Sequence, residues 1–148
     1  MFQGKGVTVR LIPTQQLYDG KFPIKVLIEA TTTEKSLDVD QIYLNVQAVE
    51  EIRFRNAGSR NRHPSQNYGG YRTESVTTHQ VNVQVTGPLH IPAHGVYEWE
   101  AEFQIPPNAN GTYKGHNANH IWSVRAGMDS KGIDPKSKWI ILEISNPF

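Results

Sequence analysis

The chain has 148 residues, of which 37% are hydrophobic and 20% are charged, and its formal charge is +1. This length suits one domain with an ordinary core, and the composition argues against a disordered chain. The charge is too small for a global attraction to nucleic acid or to an anionic membrane. Because there is no cysteine, disulfides, thiolate metal sites and cysteine nucleophiles are excluded.

Apolar and polar residues alternate along most of the chain, which is typical of strands that bury one face. The alternation begins at residues 7–11 and returns at residues 24–28, 42–48 and 81–85. In the clearest series five residues should face a core while the glutamates between them face water: Tyr97, Trp99, Ala101, Phe103 and Ile105.

Two further strands are predicted near the end of the chain. Alternate residues from Trp122 to Met128 are apolar. The continuous apolar run in residues 138–145 indicates a last strand that is covered on both faces or lies at a junction. Turn-forming residues separate the strands, and no segment shows a helical period over three turns. Seven or eight strands without helices between them predict an all-β sandwich of two antiparallel sheets.

The chain reads as one domain over residues 1–148, because neither a repeat nor a linker divides it. No apolar run approaches the ~18 to 20 residues that a membrane-spanning helix needs. The first residues, MFQGKGVTVRLIP, contain no apolar run of the length found in signal peptides. A cytoplasmic location is therefore expected.

A polar, glycine-rich insertion around residues 54–74 interrupts the alternation and predicts a long hairpin loop. Arginine binds phosphate and carboxylate groups through its planar guanidinium, and tyrosine rings stack on bases. The insertion is therefore a candidate site for a protein partner, a phosphopeptide, an anionic lipid or a nucleic acid. The alternative is a solvated loop whose arginines maintain solubility or pair with the glutamates of residues 98–102. The candidate binding residues are Arg53, Arg55, Arg60, Arg62, Tyr68, Tyr71 and Arg72.

Two histidines four residues apart, His116 and His120, raise the question of a zinc site. This spacing binds zinc when both residues share one face of a helix, whereas here it crosses a polar segment that enters a strand. His90 and His94 are candidates for a third ligand, but only the tertiary fold could bring them to the pair. The sequence therefore favours ordinary polar loop histidines.

Calcium binding and catalysis have even less support. Three glutamates along residues 98–102 spread over ~13 Å, which is too far for a single calcium ion. No nucleophile elbow, phosphate-binding loop or dinucleotide fingerprint is present. We therefore assign no catalytic residue, no metal ligand and no cofactor.

Three segments, taken in order, carry a resemblance to a known family. LYDG occupies residues 17–20, LDVDQIYLNVQAVEEIR occupies residues 37–53, and residues 103–144 run from FQIPPNANGTYKG to KWIILEI. Their order and spacing, over roughly residues 6–145, resemble the arrestin-like domain family. That family comprises arrestins, a retromer subunit and bacterial sporulation-control proteins.

The resemblance implies an immunoglobulin-like antiparallel β-sandwich that serves as a non-enzymatic adaptor or scaffold. Such a module would bind an unknown protein partner, or a second copy of itself, through edge strands or end loops. Relatives commonly carry two such domains in tandem, whereas this chain has the length for one. The first alternative is an anion-binding module that uses the arginine-rich loop. A metal-binding protein or an enzyme is the third hypothesis.

Overall fold

The computed structural model describes residues 6–55 and 71–146, and these ranges contain eleven strand segments and no helix. The segments are β1 (Val7–Pro13), β2 (Tyr18–Asp19), β3 (Ile24–Thr32), β4 (Leu37–Arg55), β5 (Tyr71–Thr86), β6 (Leu89–Ile91), β7 (Val96–Phe103), β8 (Tyr113–Lys114), β9 (Ala118–Ser130), β10 (Ile140–Leu142) and β11 (Ile144–Ser145). Five of them have only two or three residues, so they leave no alternation by which a sequence pattern could reveal them.

Two antiparallel sheets form the body of the molecule. The smaller sheet has the order β1-β3-β7. The larger has the order β10-β9-β4-β5, with β6 also beside β4 and β8 also beside β9. A short parallel pair joins β2 to β11. The prediction of an all-β fold with packed antiparallel sheets is confirmed.

The core consists of the apolar sides of the alternating strands. In β3 the side chains of Ile24, Val26, Ile28 and Ala30 have no exposed surface. The facing strands of the larger sheet contribute the apolar series of residues 42–48 and 122–128. Burial of this apolar area is the main stabilising term for such a sandwich.

The end of the chain departs in part from the prediction. Residues 138–145 do not form one strand, because β10 pairs with β9 in the larger sheet while β11 pairs with β2. Trp139 and Ile141 are 38% and 62% exposed, so the expectation of cover on both faces is wrong. The alternative expectation, a junction, is confirmed.

The predicted insertion is also narrower than residues 54–74. β4 continues to Arg55 and β5 begins at Tyr71, and these two residues are opposite each other in the hairpin. Backbone hydrogen bonds between neighbouring strands do not require apolar side chains, so the polar sequence did not reveal this extension. Residues 56–70 lie outside the described residues.

Candidate interaction surfaces

The predicted arginine-rich site falls at the outer end of the β4–β5 hairpin. Arg53 and Arg55 end β4, and Tyr71 and Arg72 begin β5. The other three candidates, Arg60, Arg62 and Tyr68, lie outside the part of the chain that the structure describes.

Arg72 and Arg53 do not share a face of the hairpin. Arg53 is opposite Thr73, whereas Arg72 is opposite Phe54, one position along, and side chains alternate between the two faces. Arg72 forms an ion pair with Glu74 at 3.0 Å, and its guanidinium lies 5.5 Å from the centre of the Phe54 ring. Arg53 and Arg72 therefore do not belong to one cationic patch.

The same end of the hairpin exposes apolar side chains. Ile52, Phe54 and Val76 are 41%, 38% and 55% exposed. Ile52 and Phe54 continue the side of β4 that is buried at Leu44 and Val46. The core-facing side of the larger sheet thus extends past the region that other described residues cover.

β5 lies at the edge of the larger sheet and, within the described residues, pairs only with β4. From residue 75 to residue 86 its sequence, SVTTHQVNVQVT, contains no charged residue and no proline. Natural edge strands are usually protected by lysine, proline, inward-pointing charges, β-bulges or a covering loop. β5 lacks the first three of these over twelve residues.

Two bulges divide β5. The pairing with β4 skips Thr78 and Val85, which leaves residues 79–84 as an uninterrupted stretch. Val81 and Val83 point to the core side, where Val81 is 39% exposed and Val83 is half-buried. On the solvent side Asn82 accepts a hydrogen bond from the amide of Asn45 at 2.8 Å.

The edges of the smaller sheet are better protected. β7 carries Glu98, Glu100 and Glu102, all exposed, and Lys25 of β3 lies opposite Glu102. β1, at the other edge, ends at a proline and carries Arg10, which is paired with a glutamate of β3 at 3.1 Å. Charge and proline both discourage pairing with another strand, so β5, between its two bulges, is the least protected long edge in the described residues.

His120 lies inside β9 and is 1% exposed, so the expectation of a polar loop histidine is wrong for this residue. Its Nδ1 is 2.8 Å from the Gly111 carbonyl oxygen, and its Nε2 is 2.7 Å from the Thr78 hydroxyl. The ring stacks on Tyr113 at 5.6 Å and meets the edge of Trp122 at 5.9 Å. His116, in contrast, is exposed as expected.

These contacts leave the histidine pair unsuited to zinc. Both ring nitrogens of His120 are held by protein oxygens, and His90, a possible third ligand, lies 2.6 Å from an Asp38 carboxylate oxygen. Among residues 6–55 and 71–146 no group of three or more His, Cys, Asp or Glu side chains has a geometry that could hold a metal ion.

Two tyrosines donate hydrogen bonds to carboxylates. The Tyr113 hydroxyl donates to Glu50, and this bond, together with burial, raises the pKa of Tyr113. Burial and a 2.9 Å hydrogen bond to Asp134 raise the pKa of Tyr43 well above its ordinary value. Both phenols therefore remain protonated at neutral pH and tie separate segments together.

Sequence reasoning missed this polar network. Glu50 and Tyr113 are 63 positions apart, and Thr78 and His120 are 42 positions apart. No short motif spans such separations, so only the strand pairing brings these residues together.

No protein-family model matches the chain, and a search of curated proteins finds no match. Among solved structures, the chain is similar to the sporulation control protein Spo0M from Bacillus subtilis, with a TM-score of 0.63 and 14% sequence identity. The similarity covers 95% of this chain and 49% of the Spo0M chain, so this chain spans about half the length of that protein. It shows an arrestin-like β-sandwich fold. In the described ranges no helix has the length and apolarity to cross a membrane.

Proposed function

We propose that the protein is a non-enzymatic interaction module that binds an extended segment of a partner along the free edge of β5. The observation that carries the proposal is an exposed edge strand with neither charge nor proline over residues 75–86. Backbone N–H and C=O groups on such an edge can accept another strand, and the alternating side chains can select it. Spo0M is described as a sporulation control protein, and a regulatory module that binds partners is compatible with that description.

The chemistry of the polar side chains also supports a binding role. His120, Glu50 and Asp134 are engaged in hydrogen bonds that link strands and loops. A general acid or base must instead reach a bound substrate. The cytoplasmic location and the single-domain organisation expected from the sequence are part of this proposal.

Affinity capture from the source cell tests the proposed edge, using variants that change one edge at a time. Val81→Lys places a charge on the core side of the β5 edge, which opposes strand addition. Val96→Lys is the matched control, because Val96 is 64% exposed and begins β7 at the other sheet's edge.

We expect the wild type and Val96→Lys to enrich the same protein and Val81→Lys to lose it, with circular dichroism showing that both variants fold. If Val81→Lys enriches the same protein as the wild type, the β5 edge is not the binding surface.

The anion-binding alternative remains a prediction with its own test. Replacing Arg60 and Arg62 with glutamate should abolish binding to heparin, anionic phospholipid vesicles or an oligonucleotide at low salt. Such binding depends on charge and should weaken as salt is raised. An absence of wild-type binding to all three at low salt refutes this alternative.

A further inference from the structure

We infer that the segment bound along β5 is the same β5 of a second copy of this chain, in an antiparallel pair whose two-fold axis passes through Asn82. The inference rests on the proposed function, because it requires the β5 edge to be a binding surface. It adds the identity of the partner and the register.

The sequence of the edge is nearly palindromic. Residues 78–86 read THQVNVQVT, and the central part, QVNVQ at residues 80–84, is identical in both directions. The only mismatch among the nine residues is His79 against Val85. In an antiparallel pair centred on Asn82, each of these residues meets its own kind, apart from that one position.

The side chains on each face of this pair are compatible. Val81 meets Val83 of the second copy on the core side, and Gln80 meets Gln84 of the second copy on the solvent side. Cross-strand apolar pairs are stabilising, and amide side chains can both donate and accept hydrogen bonds. Since the stretch carries no charge, no like charges meet across the two-fold axis.

The positions of the two bulges favour the same register. They skip Thr78 and Val85, so the straight part of the edge, residues 79–84, contains the whole QVNVQ segment. Bulges bend and twist a strand, which opposes pairing beyond these points. A short, straight and self-complementary stretch favours this register over one shifted along the strand. A second copy would also cover part of Val81, which is 39% exposed.

Cysteine crosslinking tests the register, since the chain contains no native cysteine. Residues opposite each other in an antiparallel pair have Cα atoms ~4.5 to 5.5 Å apart, which is within disulfide range. We expect Asn82→Cys to form a disulfide dimer under mild oxidation. Gln84→Cys is the matched control on the same face, and its Cα atoms would lie more than ~13 Å apart across the two-fold axis.

Opposite charges provide a second test. Asn82 is exposed, so Asn82→Lys and Asn82→Asp should both fold. Each variant alone should dimerise less strongly than the wild type in sedimentation experiments. A mixture of the two should favour the mixed dimer by about tenfold, because opposite charges then meet at the axis. This gain in dimerisation is expected only if residue 82 of one copy directly contacts residue 82 of the other.

Three results would each overturn the inference: a wild-type chain that stays monomeric throughout a concentration series, Gln84→Cys crosslinking as readily as Asn82→Cys, or no preference for the mixed dimer. The wild type could instead be monomeric and still capture a partner that Val81→Lys loses. That result refutes only the inference that the partner is a second copy, and it leaves the proposed function intact. If Val81→Lys alters neither self-association nor capture, both proposals fail.

Discussion

Replacing His120 with alanine should lower the free energy of unfolding by about 3 kcal/mol. The ring is 1% exposed, and its two nitrogens bond to Thr78 and Gly111. Two such hydrogen bonds contribute about 1 kcal/mol each. The space left by the buried ring beside Tyr113 and Trp122 adds about 1 to 2 kcal/mol.

Urea denaturation at neutral pH, followed by tryptophan fluorescence, measures this loss. With a typical urea dependence, a loss of about 3 kcal/mol moves the midpoint by about 1 to 3 M. His120→Phe separates the contributions, because it keeps a ring and removes both hydrogen bonds. It should lose about 1 to 2 kcal/mol.

His116→Ala is the matched control, because His116 is exposed and precedes β9. It should change the free energy of unfolding by less than about 0.5 kcal/mol. If the alanine variants of His116 and His120 differ by less than that amount, the two hydrogen bonds of His120 do not stabilise the fold and the reasoning is refuted.

Three further predictions concern packing and ionisation. Trp122→Ala should lower the free energy of unfolding by about 3 to 5 kcal/mol, since Trp122 is only 1% exposed. Trp139, which is 38% exposed, is the control, and Trp139→Ala should lower it by about 1 kcal/mol. Equal shifts of the two melting temperatures would contradict this prediction. Gly111→Ala should destabilise by about 1 to 3 kcal/mol because its Cβ would meet a backbone carbonyl oxygen, and Gly87→Ala, with nothing within 4 Å, should be nearly neutral in the same assay. The pKa of Tyr43 is higher in the folded protein than in the unfolded chain, where it is ~10. The stability that this difference contributes is fully present below the unfolded pKa and is lost as pH rises through the folded pKa. Above that unfolded value the wild type should therefore lose stability more steeply with pH than Tyr43→Phe, and identical slopes in urea denaturation would exclude the effect.

The solvent and core faces of the long strands could be predicted from the sequence. Alternation placed Val124, Ala126 and Met128 in the core, and their side chains have no exposed surface. The pattern succeeds because it is local: a strand that covers an apolar layer must present an apolar residue at every second position. It also indicated that the glutamates of β7 face water, and they are exposed.

Because the alternating pattern is local, it failed to predict features that depend on residues from other segments. It could not show that β4 and β5 continue to Arg55 and Tyr71, since pairing depends on the backbone of the opposite strand. It likewise missed the burial of His120, whose partners Thr78 and Gly111 come from other segments. Nor did the alternation indicate that Arg53 and Arg72 lie on opposite faces of the hairpin.

The sequence by itself therefore determined where most of the long strands lie and which of their sides are apolar, because alternation needs no knowledge of neighbours. Tertiary structure alone decided the order of strands within each sheet, and with it which strand lies at an edge. Within the described residues, that order placed the uncharged, nearly palindromic stretch of residues 78–86 at an edge of the larger sheet. In the middle of a sheet the same residues would have their backbone groups paired on both sides, and they would offer no edge to a second strand.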